Sequence, residues 1–229
     1  MRLGVVARAP DEYDREFMRR MAHAYLDQTA WSRLRLGAVR DLVDPQPGDR
    51  VLDLGCAAGA VTHFLSTFGC DVVGVDAQRE AIELASALFP RLRFEQADVR
   101  ALPFPDRSFD KAVAADLVEH LEDDVFAAML SEVARVLVPG GTLSLYTPNR
   151  LHPIERLKAA DILLARNETH VGLRDPAALA AFVRAAGFRV DREEWRPSFF
   201  PALRAVERLA APRVAALRYR LCLRARAPG

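Results

Sequence analysis

The chain has 229 residues, of which 51% are hydrophobic and 28% are charged. This length fits one domain, and the composition excludes disordered and fibrous proteins because there are enough apolar residues to bury a core. The net charge of +1 argues against a nucleic-acid partner, since such proteins usually carry a clear basic excess. The charge is uneven, however, because residues 196–229 contain eight arginines and one acid and carry +7, which leaves −6 on the rest.

The three cysteines are odd in number and show no paired spacing, so they predict neither a disulfide framework nor a cysteine-ligated zinc site. The first residues contain no apolar run suited to a signal peptide. Nowhere does the chain approach the roughly 18 apolar residues of a membrane span. We therefore expect a cytoplasmic protein.

The predicted elements alternate along the chain. Apolar residues at helical spacing in residues 11–42 predict one or two helices, which form an N-terminal cap over residues 11–46. Strands are predicted at residues 50–54, 71–75, 92–96, 111–115, 142–147, 188–194 and 219–225, and core helices at 59–68, 78–89, 123–138 and 175–186. Pro139-Gly140-Gly141 is expected to stop a helix and form a turn.

Strands that alternate with helices of this length predict an α/β fold with a Rossmann-like, doubly wound sheet of seven strands. We expect the sheet to be mostly parallel, with helices on both faces and the last strand antiparallel at one edge. The single domain then divides into a cofactor-binding core at residues 50–149, a lid insertion at 150–168 and a C-terminal half at 170–229. A basic amphipathic insertion occupies residues 198–217.

The first predicted strand ends in a turn that opens a helix, with Gly55 and Gly59 allowing a ligand to approach the backbone. Asp76 ends the second strand 23 residues after Asp53, close to the offset of about 20 at which an acid binds a ribose diol. A nucleoside cofactor is implied. The turn lacks two glycines of the dinucleotide fingerprint, and the carboxylate of Asp53 would repel a diphosphate, so a cationic cofactor with an amino-acid moiety is favoured.

These residues resemble the class I S-adenosylmethionine-dependent methyltransferases, whose first motif is an acidic residue, x, Gly, x, Gly, x, Gly. Ala57 replaces the middle glycine. The resemblance is to methyltransferase domains of types 11 and 25 and to ubiquinone-pathway O-methyltransferases, and it continues through residues 95–104, 109–121, 133–143 and 170–190.

The resemblance implies S-adenosylmethionine as the cofactor. It implies that Asp98 accepts a hydrogen bond from the adenine amino group and that Val99 packs on the ring. The full set of expected cofactor contacts is Tyr25, Asp53, Leu54, Gly55, Cys56, Ala57, Gly59, Asp76, Ala77, Asp98, Val99 and Ala115.

His120 is the first candidate for a general base, because a side chain with a pKa near neutrality can take the proton of a phenol or enol. His170 is the second candidate. The alternative is that each histidine only orders its turn. Asp116-x-x-Glu119-His120 also resembles the Glu-x-x-Glu-His motif of ubiquinone-pathway enzymes, which implies a divalent metal held by Asp116, Glu119 and His120.

The two insertions, 150–168 and 198–217, combine apolar and basic residues, a pattern typical of a lipophilic acceptor or a peripheral membrane contact. Packing on the sheet or on another subunit is the alternative, and the protein is a monomer or a homodimer. The sequence thus predicts methyl transfer to a small acceptor, most readily at oxygen, with no nucleic-acid partner. Two other functions stay open: a nicotinamide-dependent oxidoreductase and a non-catalytic, nucleoside-binding regulator.

Overall fold

The computed structural model describes residues 15–161 and 167–229. Its strands are β1 (Arg50–Leu54), β2 (Asp71–Asp76), β3 (Arg93–Gln96), β4 (Phe109–Ala115), β5 (Leu137–Pro148), β6 (Arg189–Arg196) and β7 (Arg220–Arg226). Its helices are α1 (Arg15–Leu26), α2 (Ala30–Val43), α3 (Ala60–Ser66), α4 (Arg79–Leu88), α5 (Asp123–Val136), α6 (Pro153–Ala159), α7 (Pro176–Ala185) and α8 (Pro201–Ala210). Short 3-10 turns follow β4 and α8, at Val118–His120 and Ala215–Leu217.

The seven strands form one mixed sheet in the order β3-β2-β1-β4-β5-β7-β6. β1 to β5 run parallel, and β7 is antiparallel to both of its neighbours. The predicted α/β fold with a seven-stranded, mostly parallel sheet is confirmed. The chain order reverses between β1 and β4, and ligands of such sheets bind at this switch point, outside the carboxyl ends of the strands.

The position of the antiparallel strand differs from the prediction by one place. β7 lies between β5 and β6, so the outermost strand is β6. The reason is visible in the burial of the two strands. β7 buries Leu221, Cys222 and Leu223, whereas β6 has the sequence RVDREEWR and is only partly buried. Charged side chains suit an edge because they discourage pairing with a further strand.

The Pro139-Gly140-Gly141 segment also differs from its prediction as a turn. α5 ends at Val136, and the segment lies inside β5. A Cβ atom at Gly141 would lie 2.9 Å from the carbonyl oxygen of Asp110, and Gly140 has a φ of +74°. The register between β4 and β5 shifts at this point. The glycines therefore accommodate an irregularity within a strand pair.

Helices cover both faces of the sheet. On one face, α5 and α7 pack against side chains such as Leu52 and Leu145. On the other face, α2 and α3 pack against Val51 and Val113. The two N-terminal helices occupy the segment predicted as a cap, and α1 buries Met18 and Ala22 against Ala58, in the loop after β1. α1 therefore packs directly on the loop at the predicted cofactor site.

The two predicted insertions pack against each other. His152, at the start of α6, and Glu207, on α8, are both 0% exposed, and the Nε2 of His152 lies 3.0 Å from a carboxylate oxygen of Glu207. The backbone N–H of Ser198 donates to the other oxygen at 2.6 Å. Residues 162–166 of the first insertion lie outside the described residues. Within the described ranges, no helix is both long enough and apolar enough to cross a membrane.

Candidate active site

The loop between β1 and α3 is shaped by residues in the left-handed region of φ. Gly55, Ala57 and Gly59 have φ values of +67°, +46° and +79°. A Cβ atom would lie 2.7 Å from a side-chain carbon of Leu117 if placed on Gly55, and 2.7 Å from the ring of Phe94 if placed on Gly59. Only glycine fits at these two positions without displacing its neighbours. The loop is therefore a backbone cradle, tightly enclosed by side chains.

Asp76 lies beside this cradle, at the carboxyl end of β2. Its carboxylate accepts the backbone N–H of Ala57 at 3.0 Å and that of Gln78 at 2.9 Å. Burial raises the pKa of this carboxyl above its ordinary value. The structure therefore brings together the predicted glycine loop and the predicted ribose-binding acid.

Asp53 has a different environment from the one we expected. It is 1% exposed, and one of its carboxylate oxygens accepts a hydrogen bond from the hydroxyl of Thr62 at 2.6 Å. Burial raises its pKa to about 7. The carboxyl group therefore ties β1 to α3 beneath the loop. Asp53 therefore bears on the cofactor site through its hydrogen bond to Thr62, which holds α3 and the loop in place.

The segment after β3 is anchored to β2, because the N–H of Ala97 donates to the carbonyl oxygen of Asp76 at 3.0 Å. Val99 is buried, while Asp98 is exposed and pairs with Arg100 at 2.6 Å. Hydrogen bonds from Arg100 lower the pKa of Asp98. Of the other expected cofactor residues, Ala77 is exposed, whereas Leu54, Cys56 and Ala115 are buried.

Tyr25, on α1, belongs to an aromatic cluster at the end of the cradle. Its hydroxyl lies 2.6 Å from the Nδ1 atom of His63, on α3. The ring of His63 stacks on Phe89 with the ring centroids 4.5 Å apart. Tyr25 is partly buried, and its contact with a cofactor stays a prediction.

The two candidate bases meet beyond β4. The ring centroids of His120 and His170 are 5.0 Å apart, and each of these residues and Glu119 offers a ligand atom within 4.8 Å of the others. Nδ1 of His120 lies 3.0 Å from the carbonyl oxygen of Thr169, and Nδ1 of His170 lies 3.8 Å from a carboxylate oxygen of Glu155. Such contacts at one ring nitrogen are usual around metal-ligating histidines.

Burial sets the charges in this cluster. It is the main cause that lowers the pKa of His120 to about 4, with the neighbouring His170 adding to the effect. It also raises the pKa of Glu119 to about 8. The hydroxyl of Thr147 donates a hydrogen bond to the Glu119 carboxyl at 2.9 Å. His120 is therefore neutral near pH 7, but it is a weaker base than the near-neutral pKa expected from the sequence would make it.

Asp116 does not join this cluster, in contrast to the expected metal set. Its carboxylate oxygens bind Arg35 at 2.6 Å and Arg220 at 2.8 Å. Its backbone has a φ of +59°, which turns the chain after β4. The two arginines come from α2 and β7, and their charge lowers the pKa of Asp116 despite its burial. The group that the structure assembles is instead Glu119, His120 and His170.

Arg174 is a supporting residue that the sequence reasoning missed. It is 5% exposed, and its guanidinium donates to the carbonyl oxygens of Val118 and Leu121 at 2.8 and 3.0 Å. It also lies over the rings of Phe126 and Phe182. These bonds fix the turn that carries Glu119 and His120. No local pattern could have indicated them, because the bonded partners lie more than 50 residues away.

A cleft of about 180 Å³ opens beside Asp116. Leu117, the next residue, packs on Gly55, so the cleft is adjacent to the glycine cradle. Aromatic residues and arginines line it together: Trp31, Tyr146, Phe199, Tyr219, Arg35, Arg196, Arg204, Arg208 and Arg220. Of these residues, the sequence had marked only the arginines of residues 196–229, as an excess of positive charge.

The cradle after β1, the acid after β2 and the cleft after β4 all lie at the carboxyl ends of parallel strands. This arrangement is typical of α/β proteins that bind a ligand at the switch point of the sheet. Comparison with known proteins narrows this class. Residues 51–141 match a family model described as a methyltransferase domain.

A protein of Mycolicibacterium smegmatis named "Probable S-adenosylmethionine-dependent methyltransferase" is 30% identical over 165 residues, covering 72% of this chain and 62% of that protein. The O-methyltransferase cnsE of Penicillium expansum is 31% identical over 173 residues, covering 68% of this chain and 59% of that protein. The chain thus spans less than two thirds of either relative.

Among solved structures, one with the same fold is a complex from Haloferax volcanii between the Trm112 methyltransferase activator and a methyltransferase. It superposes with a TM-score of 0.73 at 21% identity, over 97% of this chain and 100% of that one. This superposition shows a shared fold. On the family model and the relatives, the chain belongs to the class I S-adenosylmethionine-dependent methyltransferases, and the cofactor of its family is S-adenosylmethionine.

Proposed function

We propose that this protein transfers a methyl group from S-adenosylmethionine to an oxygen atom of a small acceptor. The observation that carries the proposal is the adjacency of the glycine cradle to the lined cleft through Leu117. The cofactor site and the acceptor site are then neighbours, as direct transfer between two bound molecules requires. Oxygen is favoured because relatives such as cnsE carry the name O-methyltransferase.

In this proposal the residues at the strand ends hold the cofactor, which supplies a methyl group already activated on a sulfonium. The cradle at residues 55–59 approaches it through backbone. Asp76 accepts two backbone hydrogen bonds, and a carboxylate has about four lone-pair positions, so two remain for a ribose diol. Asp98 accepts from the adenine amino group, and Val99 lies beneath the ring.

His120 is the proposed general base, and its tautomer supports this role. The carbonyl oxygen of Thr169 can only accept, so the Nδ1 atom of His120 carries the hydrogen and Nε2 is the basic nitrogen. An acceptor hydroxyl must lose its proton as the new bond to carbon forms. His170 is the second candidate, from its position beside the first ring.

The proposal has a second form, in which the same cluster binds a divalent metal and His120 is a metal ligand instead of the general base. One carboxylate and two imidazoles, from Glu119, His120 and His170, are ligands that Zn²⁺, Mn²⁺ and Fe²⁺ accept. A bound ion would supply Lewis-acid assistance to the acceptor oxygen. Dialysis against EDTA, followed by addition of single metals, separates the two forms: metal-dependent activity makes His120 a ligand, and unaffected activity makes it the base.

A contact of α8 with a lipid surface also belongs to the proposal. Val206 and Leu209 are 53% and 78% exposed on this helix, and Arg208, which lies between them in the sequence, is exposed as well. Apolar side chains beside basic ones bind anionic bilayers. We expect co-sedimentation with phosphatidylglycerol vesicles that weakens in Leu209→Gln but not in Leu26→Gln, an exposed leucine on α1. Equal sedimentation of both variants would contradict the contact.

The cytoplasmic location is likewise proposed, on the ground that Cys56, Cys70 and Cys222 are all free and buried. Free thiols persist where the environment is reducing.

The central test measures binding and transfer separately. Calorimetry should detect S-adenosylhomocysteine binding and no binding of NADH, while tritiated S-adenosylmethionine is used to label an acceptor library. His120→Ala should abolish labelling and keep cofactor affinity, with His23→Ala, an exposed histidine of α1, as the matched control. NADH binding would favour an oxidoreductase. Cofactor binding without any labelled product would favour a regulator.

A further inference from the structure

Half of the arginines in the basic C-terminal segment, residues 196–229, pair with acids in the fold. Of its eight arginines, four pair with acids: Arg196 with Glu194, Arg220 with Asp116, and both Arg224 and Arg226 with Asp191. Among the described residues, the other four have no acidic partner: Arg204, Arg208, Arg213 and Arg218. The uncompensated positive charge therefore lies on and just after α8.

Two of these four arginines line the cleft beside Asp116. Arg204 and Arg208 are one helical turn apart on α8, so their side chains are neighbours on its surface. The Nε of Arg204 donates to the carbonyl oxygen of Ser198 at 2.8 Å, which orients its guanidinium, and Arg208 is exposed. Glu207, between them in sequence, is buried and bonded to His152 and to the backbone N–H of Ser198, so its carboxylate is not paired with either guanidinium.

The acid in the lining of the cleft is also neutralised. Asp116 already binds Arg35 and Arg220, which are themselves partly buried there. Arg196, which pairs with Glu194, also lines the cleft, and Arg204 and Arg208 line it without an acidic partner among the described residues. The cleft therefore has a positive potential, and its low-dielectric walls strengthen the attraction for an anion.

The remaining walls are flat and apolar. Trp31 and Leu34 come from α2, and Phe199 precedes α8, where it stacks on Phe200 with the ring centroids 4.1 Å apart. Leu34 and Phe199 are 51% and 42% exposed. Burial of these side chains by the apolar part of a ligand would be favourable, because it removes apolar surface from water. These side chains fit the apolar body of a ligand, while the arginines fit its charge.

We propose that the methyl acceptor is an amphipathic anion. Its ring or alkyl body lies against Trp31, Leu34 and Phe199, and its carboxylate or phosphate binds Arg204 and Arg208. The proposal rests on the proposed methyl transfer and names its acceptor class. A soluble acid and the headgroup of an anionic lipid share this chemistry, so the test must separate them.

Two fluorescent probes with the same rings isolate the charge: 1-anilinonaphthalene-8-sulfonate and its uncharged analogue N-phenyl-1-naphthylamine. Both are titrated into the full chain saturated with S-adenosylhomocysteine. We expect the sulfonate to bind at least tenfold more tightly. Arg208→Gln should weaken its binding about tenfold, Arg204→Gln plus Arg208→Gln more, and neither should change binding of the analogue. Arg213→Gln, an exposed arginine that does not line the cleft, is the matched control.

Equal binding of both probes, or an Arg213→Gln effect as large as that of Arg208→Gln, would overturn the proposal. So would sulfonate binding that occurs only when S-adenosylhomocysteine is left out, because the arginines would then hold the carboxylate of the cofactor. Displacement by 1-naphthoate supports a soluble acid, and displacement by phosphatidylglycerol but not phosphatidylcholine vesicles supports a lipid. Displacement by neither competitor counts against an acceptor site.

These outcomes are independent of the proposed reaction. Failure to bind S-adenosylhomocysteine in calorimetry, or failure to label any acceptor, would count against methyl transfer. The preference for the charged probe and its dependence on Arg204 and Arg208 would still be measured on the same protein.

Discussion

Replacement of Asp76 tests the cofactor site most directly. Its carboxylate accepts two backbone hydrogen bonds, from Ala57 in the cradle and from Gln78 at the start of α4. In Asp76→Ala these N–H groups lose their acceptor, and because the position is only half-buried, water replaces it in part. We expect the free energy of unfolding to fall by about 1 to 2 kcal/mol.

The effect on the cofactor should be larger than the effect on stability. Hydrogen bonds to a charged group contribute about 1.5 to 3 kcal/mol, which corresponds to a loss of affinity of roughly 10 to 150-fold. Asp76→Asn keeps one carbonyl acceptor and should lose less. Calorimetric titration with S-adenosylhomocysteine measures the change, and urea unfolding of the same variants measures stability.

Asp71→Ala is the matched control, because Asp71 lies at the other end of the same strand and is exposed. It should bind S-adenosylhomocysteine as the wild type does. Unchanged affinity in Asp76→Ala would refute the assignment of this carboxylate to the ribose. A loss of affinity in both variants would mean that β2, rather than the carboxylate of Asp76, determines binding.

Three further predictions concern buried or constrained positions. Because the pKa of Asp53 is raised, the folded chain keeps this proton between about pH 4 and 7, where the unfolded chain has released it. The free energy of unfolding of the wild type should therefore fall by up to roughly 4 kcal/mol as the pH rises from about 4 to 7. Asp53→Asn should remove that decline in urea titrations at several pH values, and parallel curves would count against it. Glu207→Ala should destabilise the protein by about 2 to 5 kcal/mol and make α8 sensitive to limited proteolysis, because the buried imidazole of His152 and the backbone N–H of Ser198 both lose their acceptor. Glu207→Gln should be milder, and equal resistance of wild type and Ala variant would contradict the coupling. Gly59→Ala should cost about 1 to 2 kcal/mol in backbone strain alone and weaken cofactor binding as Phe94 is displaced, whereas Gly37→Ala, in open space on α2, should leave cofactor binding unchanged.

Much of the cofactor site was predictable because it follows from local pattern. Gly55, Gly59 and Asp76 lie at the ends of strands that the sequence marks by short apolar runs, and parallel strands bring such ends to one edge of a sheet. The pairing of His120 with His170 was only half predicted. Both were candidates, but their contact depends on the segment 167–172 folding back onto the turn after β4.

What the sequence by itself determined is the alternation of strands and helices, the mixed seven-stranded sheet and the cradle with its acid, since each depends on residues close together in the chain. Tertiary structure alone decided the partners of Asp116, which arginines of the basic segment pair with acids, and the place of β7 inside the sheet. Arg35 and Arg220 are 81 and 104 residues from Asp116, and no local periodicity encodes such a distance. A charge has the same sign in the sequence and in the fold, but only the fold determines which opposite charge compensates it.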